Sequence, residues 1–387
     1  MFEETTNTSG ATVTDKVRRN FLKTAALAAP LALAACDCAE RCAAVAPEVT
    51  SAGITPRQLK MVTTWPKDFP GLAEAATRWA DFIRDLSGGA IAIEIFAAGE
   101  LVGAFDVYDT VVSGAADLYH GADYYWTSKS QAYPFFTAVP FGMTAIEQIG
   151  WLEAGGGQQL WDRLAAPFGI KPFGVGNSGH QLGGWFKRPL RNVDDLRGLK
   201  IRMPGMGGEV MRRAGASPVV LPGSELYQSL QSGAIDATEW VGPWNDLAMG
   251  FYREADYYVW PGFHEPNAQL SAGMNLDLWR SLSAQEQSIF IAAARAANHE
   301  SIGTYTIRNA EALRVLSEEH NVTLNRMPDD VIALLAEKTK EVLEEIAESS
   351  AIGREIHDSY LRTLRDTMRW TTISDAAFIE ARQRLIN

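Results

Sequence analysis

Two charged residues stand where apolar runs stop. Arg202 closes Leu199-Lys200-Ile201-Arg202-Met203, just before Pro204-Gly205, and Glu239 lies in Ile235-Asp236-Ala237-Thr238-Glu239-Trp240-Val241-Gly242-Pro243. Both runs read as strands, and the carboxyl ends of strands are where open α/β sheets bind ligands. A planar guanidinium at such a mouth holds a carboxylate through two parallel hydrogen bonds. The chemistry these residue types offer is therefore capture of a small anion. Spacing alone leaves other roles open: a surface salt bridge for Arg202, and a cap or solvated acid for Glu239.

Other chemistry has weaker support. Gly174-Val175-Gly176-Asn177-Ser178-Gly179 fits G-x-G-x-x-G, but the following Gln181–Phe186 stretch is rich in glycine and aromatics and is a poor helix start. A dinucleotide pyrophosphate needs a helix N-terminus at that point. Gly155-Gly156-Gly157 lacks the Lys-Ser/Thr of a phosphate loop. The six histidines (120, 180, 264, 299, 320 and 357) show no tight ligand spacing, and no G-x-S-x-G elbow is present. Each histidine reads as a solvated or hydrogen-bonded side chain.

Charge narrows the partners. The chain has 387 residues, with 47 acids against 35 bases and a formal charge of −12. That balance argues against a nucleic-acid partner, which needs a basic face. The cysteines are Cys36, Cys38 and Cys42, so residues 43–387 hold no disulfide framework and no thiol nucleophile. Near the start, Val17-Arg18-Arg19-Asn20-Phe21-Leu22-Lys23 precedes an apolar run of 13 residues, Thr24–Cys36. Paired arginines before a short apolar run have the form of a twin-arginine export signal, and the run is too short to span a bilayer. Leu33-Ala34-Ala35-Cys36 resembles a lipoprotein cleavage site, which would leave Cys36 lipidated. Ordinary cleavage further on would leave a free periplasmic protein.

The elements that must position the anion site follow from hydrophobic periodicity. Arg57–Trp65, Ala90–Ala97 and Asp117–Gly121 read as strands; Leu72–Leu86, closed by Gly88-Gly89, and Phe105–Ser113 read as helices. The rhythm resumes with strands at Lys171–Gly176, Leu182–Lys187, Leu199–Met203, Pro218–Leu221 and Ala234–Trp240. Helices are expected at Gly207–Ala214 and Ser224–Ser232, the latter with Ser224 as N-cap. Beyond about residue 283 the chain reads as helical, without a clear strand. Alternating strands and helices predict an α/β fold with mostly parallel sheets in two lobes, followed by a helical C-terminal third. The expected division is a leader at 1–35, a tether at 36–56, mainly the first lobe at 57–180, mainly the second at 181–270, and a crossover strand with long helices at 271–387.

Several blocks in this order resemble the periplasmic solute-binding proteins of TRAP (tripartite ATP-independent periplasmic) transporters, in particular the branch that binds 2-oxo acids such as pyruvate. They are Phe96–Leu101 (FAAGEL), Gly121–Trp126 (GADYYW), Gly179–Phe186 (GHQLGGWF), Gly198–Arg202 (GLKIR) and Ile235–Pro243 (IDATEWVGP). The resemblance implies a two-lobed binding protein of type II form that closes over a small carboxylate and hands it to membrane permease subunits. It implies that Arg202 clamps the carboxylate, and that a sodium or calcium ion bridges ligand and protein through Gln181, Glu239 and the Trp240 carbonyl. Glu265 falls where that branch has another pocket acid, as substrate contact and metal ligand. Asn177, Tyr124 and Tyr125 fall on the pocket wall. An oxygen-ligated cation can chelate a carboxylate oxygen together with its neighbouring oxo or hydroxyl oxygen. It also offsets the charge of Glu239. The alternatives are a binder of C4-dicarboxylates or other carboxylates in the same family, or a metal-assisted enzyme acting on 2-oxo acids. By the same resemblance, helices within 284–315 and 328–349 could join two chains in a homodimer.

Overall fold

The computed structural model describes residues 53–386; the leader, Cys36 and most of the 36–56 tether lie outside the described residues. The first four strands are β1 (Arg57–Thr63), β2 (Ile91–Phe96), β3 (Leu118–Gly121) and β4 (Ile170–Asn177). The chain then crosses through residues 178–183 and lays down β5 (Gly184–Phe186), β6 (Lys200–Arg202), β7 (Ser217–Val219), β8 (Ala237–Thr238) and β9 (Tyr257–Trp260) in a second sheet. It returns through 261–268 as β10 (Gln269–Asn275). A long helix, Ala284–Glu318, leads back to β11 (Thr323–Arg326). The sheet orders are β2-β1-β3-β10-β4 and β11-β9-β5-β8-β6-β7.

Each sheet is parallel except for one strand. β10 runs against β3 and β4, and β5 runs against β8 and β9. These are the strands formed just after the chain has passed between lobes. The two crossings touch where Gln181 N–H donates to the Glu265 carbonyl at 3.1 Å, and Gly183 N–H donates to the Val259 carbonyl of β9 at 2.7 Å. The approach is so close that a Cβ at Gly262 would lie 2.4 Å from the Gln181 carbonyl oxygen. Only glycine fits there.

Helix Leu72–Leu86 forms as its spacing predicts, burying Leu72, Ala75, Ala76, Trp79, Ala80 and Ile83 on one face. The Trp79 indole N–H donates to the Phe290 carbonyl at 3.2 Å, which ties this helix to the long one. Ser283 and Glu286 close a capping box at the start of Ala284–Glu318. That helix spans 35 residues, about 50 Å at 1.5 Å per residue. Its first half packs Phe290, Ala293 and Ala297 into the first lobe's core, and its second half puts Tyr305 and Leu316 into a cluster with Trp185 and Trp240. Helix Asp329–Ser349 packs on helix Gly205–Arg213 of the second lobe. Helix Ala351–Thr371 docks on the first, where the Tyr360 hydroxyl accepts from Met143 N–H at 2.8 Å.

Three local expectations change. Helix Gly223–Ser232 starts one residue early, with Pro222 at the N-cap, so Ser224 lies inside the first turn and caps nothing. The strand expected over Ala234–Trp240 shrinks to Ala237–Thr238, because the turn at Gly233 (φ 76°) carries the chain back on the helix and Ile235 N–H donates to Ser229. β11 was invisible in the pattern: Thr-Leu-Asn-Arg is short, largely exposed and pairs along one edge only.

Replacing Gly262 by Ala should destabilise the protein by roughly 2 kcal/mol or more, since the clash is with backbone that cannot rotate away. Urea denaturation measures it; an unchanged midpoint would show that the crossings part without cost.

Candidate functional site

The fold brings strand ends and crossings to one point. Arg202 is the last residue of β6 and Glu239 the first after β8; Glu239 N–H donates to the Arg202 carbonyl at 3.2 Å, which extends the ladder between those strands. Their side chains form an ion pair, with both groups 1% exposed. The guanidinium is also held by the Leu221 carbonyl at 3.2 Å and the Glu239 carbonyl at 3.4 Å. It lies over the Trp240 ring, 5.2 Å from its centroid. Burial opposes the charge of Arg202; Glu239, then Tyr125 and Tyr124, outweigh it and raise its pKa.

The first lobe supplies the opposite wall. Tyr124 and Tyr125 lie on a short turn of 3-10 helix after β3, and the Tyr125 hydroxyl accepts from Arg202 Nη2 at 3.4 Å. Burial pushes both phenols above their ordinary range, so they remain neutral donors. Their turn is anchored from behind. Asp123 is buried, and the Trp161 indole donates to its Oδ2 at 2.6 Å. Phe136 stacks between Trp161 and Trp151, with centroids 5.0 and 5.3 Å away. The second lobe repeats the device. Asp246 Oδ2 accepts from the Trp185 indole at 3.0 Å and the Tyr258 hydroxyl at 2.7 Å, while its Oδ1 accepts from Val241 N–H at 3.2 Å, two residues past Glu239.

The crossings supply the remaining groups. Gln181 donates through Nε2 to Ser178 at 3.0 Å, and its Oε1 has no partner. Glu265 is 3% exposed and its Oε2 has none either. Burial first, and then the charge of Glu239, push the Glu265 carboxyl well above the usual carboxylate range. His264, which the sequence spacing did not single out, lies beside them: its Nε2 is 3.3 Å from Glu239 Oε2 and its Nδ1 has no partner. One ligand atom from each of Glu239, His264 and Glu265 lies within 4.8 Å of the others. Helix Gly205–Arg213 crowds this cluster so closely that a Cβ at Gly207 would come 2.7 Å from that of His264.

Seven of the residues expected in the pocket, Arg202, Gln181, Glu239, Trp240, Glu265, Tyr124 and Tyr125, are buried or half-buried around this point. Asn177 is also buried, but its amide is committed elsewhere. Its Nδ2 donates to Asn267 at 2.9 Å and Gln269 at 3.4 Å, and its Oδ1 accepts from Gly179 N–H at 2.8 Å. His264 could have been found from its neighbour Glu265. Its contact with Glu239, 25 residues away, is invisible to local spacing.

A buried acceptor without a donor costs about 1–3 kcal/mol. The unpartnered Glu265 Oε2, with a carboxylate oxygen of Glu239 within reach and the unpartnered Gln181 Oε1 on the same crossing, offers the oxygen donors a hard cation takes. The residues therefore fit the bridging ion. A separate groove of about 690 Å³ lies between helices 145–153, 157–165 and 284–318, lined by Ile146, Ile149, Leu152, Ile291 and Ile302. It is mainly apolar and lacks that convergence, so the site is assigned to the crossings.

Two α/β lobes closed on a buried charged pocket define an extracytoplasmic solute-binding protein. Residues 61–350 match the family described as bacterial extracellular solute-binding protein, family 7. The chain belongs to that family, the solute receptors of TRAP transporters. It is 35% identical over 363 residues to a monocarboxylate 2-oxoacid-binding periplasmic protein of Nostoc sp., covering 93% of this chain and 97% of the relative. Two solved TRAP solute-binding proteins share 36% identity and a TM-score of 0.82. That of Colwellia psychrerythraea, with bound calcium and pyruvate, is covered over 100% of its length and 84% of this chain. That of Pseudoalteromonas atlantica, with bound sodium and pyruvate, is covered over 99% of its length and 84% of this chain.

The pH behaviour of Asp123 is testable. Burial raises its pKa from 3.8 to about 7. An acid whose folded pKa is raised stabilises the fold at low pH, and that contribution is lost as pH rises from about 4 to about 7. Asp123→Asn should remove this loss, so the stability of the wild type relative to the variant should fall by roughly 2–3 kcal/mol between pH 5 and pH 8. Denaturation curves at both pH values measure it; parallel curves would show that another group titrates.

Proposed function

We propose that this protein captures a small 2-oxo or 2-hydroxy monocarboxylate together with a metal cation and presents it to the membrane permease subunits of a TRAP transporter. The observation that carries this reading is the buried Arg202–Glu239 pair with the unpartnered Glu265 Oε2 beside it, on crossings where Gln181 also holds an unpartnered oxygen. Arg202 would hold the ligand carboxylate. Gln181, Glu239, the Trp240 carbonyl and Glu265 would hold the ion, which supplies the chelating contact to the second ligand oxygen. Arg202 and Glu239 now neutralise each other; in the complex each gains its own counter-charge, the ligand for one and the cation for the other. No step of this requires bond making. Glu239 is pinned by Arg202 and His264, which suits a binder better than a catalyst.

Calorimetric titration with pyruvate and with succinate tests it. Pyruvate binding should require sodium or calcium and should weaken at least tenfold in Arg202→Lys, which keeps a cation for Glu239 but loses the planar fork. Succinate binding without cation dependence would move the chain to the dicarboxylate binders.

Arg18-Arg19 and the apolar run after them support export through the twin-arginine route, and Cys36 a lipid anchor. The helices expected to join two chains, within 284–315 and 328–349, correspond to Ala284–Glu318 and Asp329–Ser349, which bury part of their apolar side chains within this chain and leave Ile307 exposed. Among the exposed apolar side chains, Trp370, Ile373, Phe378 and Leu385 fall close together in one C-terminal stretch. A soluble monomer rarely leaves such a stretch bare, so this segment is the proposed contact between two copies. Light scattering after gel filtration should give a dimer, and Ile373→Asp with Phe378→Asp should give a monomer that still binds pyruvate.

A further inference from the structure

We infer that Phe69 and Asn245 are positioning residues for ligand retention: they clasp the two lobes beside the pocket and hold the Trp240 ring against Arg202. The inference rests on the proposed capture of a monocarboxylate between the lobes. Phe69 belongs to the turn 66–71, which joins the end of β1 to helix Leu72–Leu86 in the first lobe. Asn245 lies in the first turn of helix Pro243–Met249, shortly after Glu239 in the second lobe. Both segments follow the carboxyl end of a strand, β1 for one and β8 for the other, on the side where α/β sheets receive ligands.

The contacts between them are direct. The side-chain amide of Asn245, a buried residue, donates to the Pro70 carbonyl at 2.6 Å. The Phe69 ring stands edge-on to Trp240, with centroids 5.9 Å apart and planes at 84°. Gly71, with φ 68°, lies so close under Tyr305 and Trp244 that a Cβ there would come 2.9 Å from the Trp244 ring. Trp240 cannot yield on its far side, because a Cβ at Gly223 would lie 2.5 Å from its indole. Its ring is therefore caught between Phe69 of the first lobe and the Arg202 guanidinium of the second, which lies 5.2 Å from its centroid. The turn is also fixed by its own bonds. The Pro70 carbonyl accepts from Leu72 N–H at 2.7 Å, and the Phe69 carbonyl from Ala73 N–H at 3.1 Å. Removing the Asn245 amide thus cuts the bond between the lobes without freeing the turn. Lobes that part here must break that bond and withdraw Phe69 from Trp240, so both contacts oppose release of an enclosed ligand without touching it.

Rapid mixing of the full-length protein with pyruvate, in buffer containing both sodium and calcium and followed by tryptophan fluorescence, separates capture from release. Asn245→Ala should raise the dissociation rate about three- to tenfold, the loss of one hydrogen bond, and leave the association rate within about twofold of the wild type. Phe69→Leu keeps an apolar contact but loses the ring edge. It should also speed dissociation at least about threefold, and it decides the question if Asn245→Ala does not fold. An unchanged dissociation rate in both variants overturns the clasp. So does a lower urea midpoint of the ligand-free variant without faster dissociation, which is the mark of ordinary packing. Slower association with unchanged dissociation overturns it as well. In each of these cases pyruvate binding by the wild type leaves the proposed function standing. No pyruvate binding by the wild type overturns that function and this inference with it.

Discussion

Buried charge is the constraint on which the site depends. A guanidinium and two carboxylates lie within a few ångströms of each other, almost wholly out of water. Charges in such a place are tolerated only when each has a partner. Arg202 and Glu239 partner each other; Glu265 has no ion partner of its own and is driven toward its neutral form. The pocket is thus poised for a set of charges arriving together. A carboxylate alone would compete with Glu239 for Arg202, and a cation alone would draw Glu239 from Arg202. Anion and cation together satisfy all three side chains.

Placing these groups takes two kinds of scaffold. Arg202 and Glu239 stand at strand ends locked by the β6–β8 ladder. Behind each lobe's contribution lies the same device: a buried aspartate bonded by a tryptophan indole, Asp123 with Trp161 and Asp246 with Trp185. Each aspartate fixes backbone next to the pocket without entering it. Indole, hydroxyl and amide donors offset part of the cost of burying Asp246, while Asp123 has the Trp161 indole alone and keeps a raised pKa; the rings fill the core around both.

The sequence revealed the periodic parts. The helix Leu72–Leu86 and strands β1 to β4 follow from alternating and helical spacing, and Arg202 and Glu239 could be placed at strand ends without any contact being known. Motif resemblance then added Gln181, Trp240 and Glu265. Pairings across long distances were not legible. His264 meets Glu239 only because the return crossing folds over the outgoing one, and β11 exists only because β9 offers it an edge. Asn177 is placed on the pocket wall by motif resemblance. Its amide also joins Asn267 and Gln269 in tying β4 to β10, a partnership no local pattern encodes.

The division between strand ends and crossings has a mechanical consequence. Motion of one lobe against the other must pass through residues 178–183, residues 261–268, the long helix and the junction at Ser350 between the last two docked helices, the links among the described residues. Gln181, His264 and Glu265 lie on the first two links, while Arg202 and Glu239 ride on one rigid sheet. The anion clamp therefore survives any hinge movement with its geometry intact. The cation ligands do not: Gln181 and Glu265 keep their register only while the crossings remain bonded to each other through Gln181 N–H and the Glu265 carbonyl. An ion held across that contact stiffens the hinge itself. Cation binding and lobe closure are then one event, with the free energy of coordination acting directly on the segment that must bend for the ligand to leave.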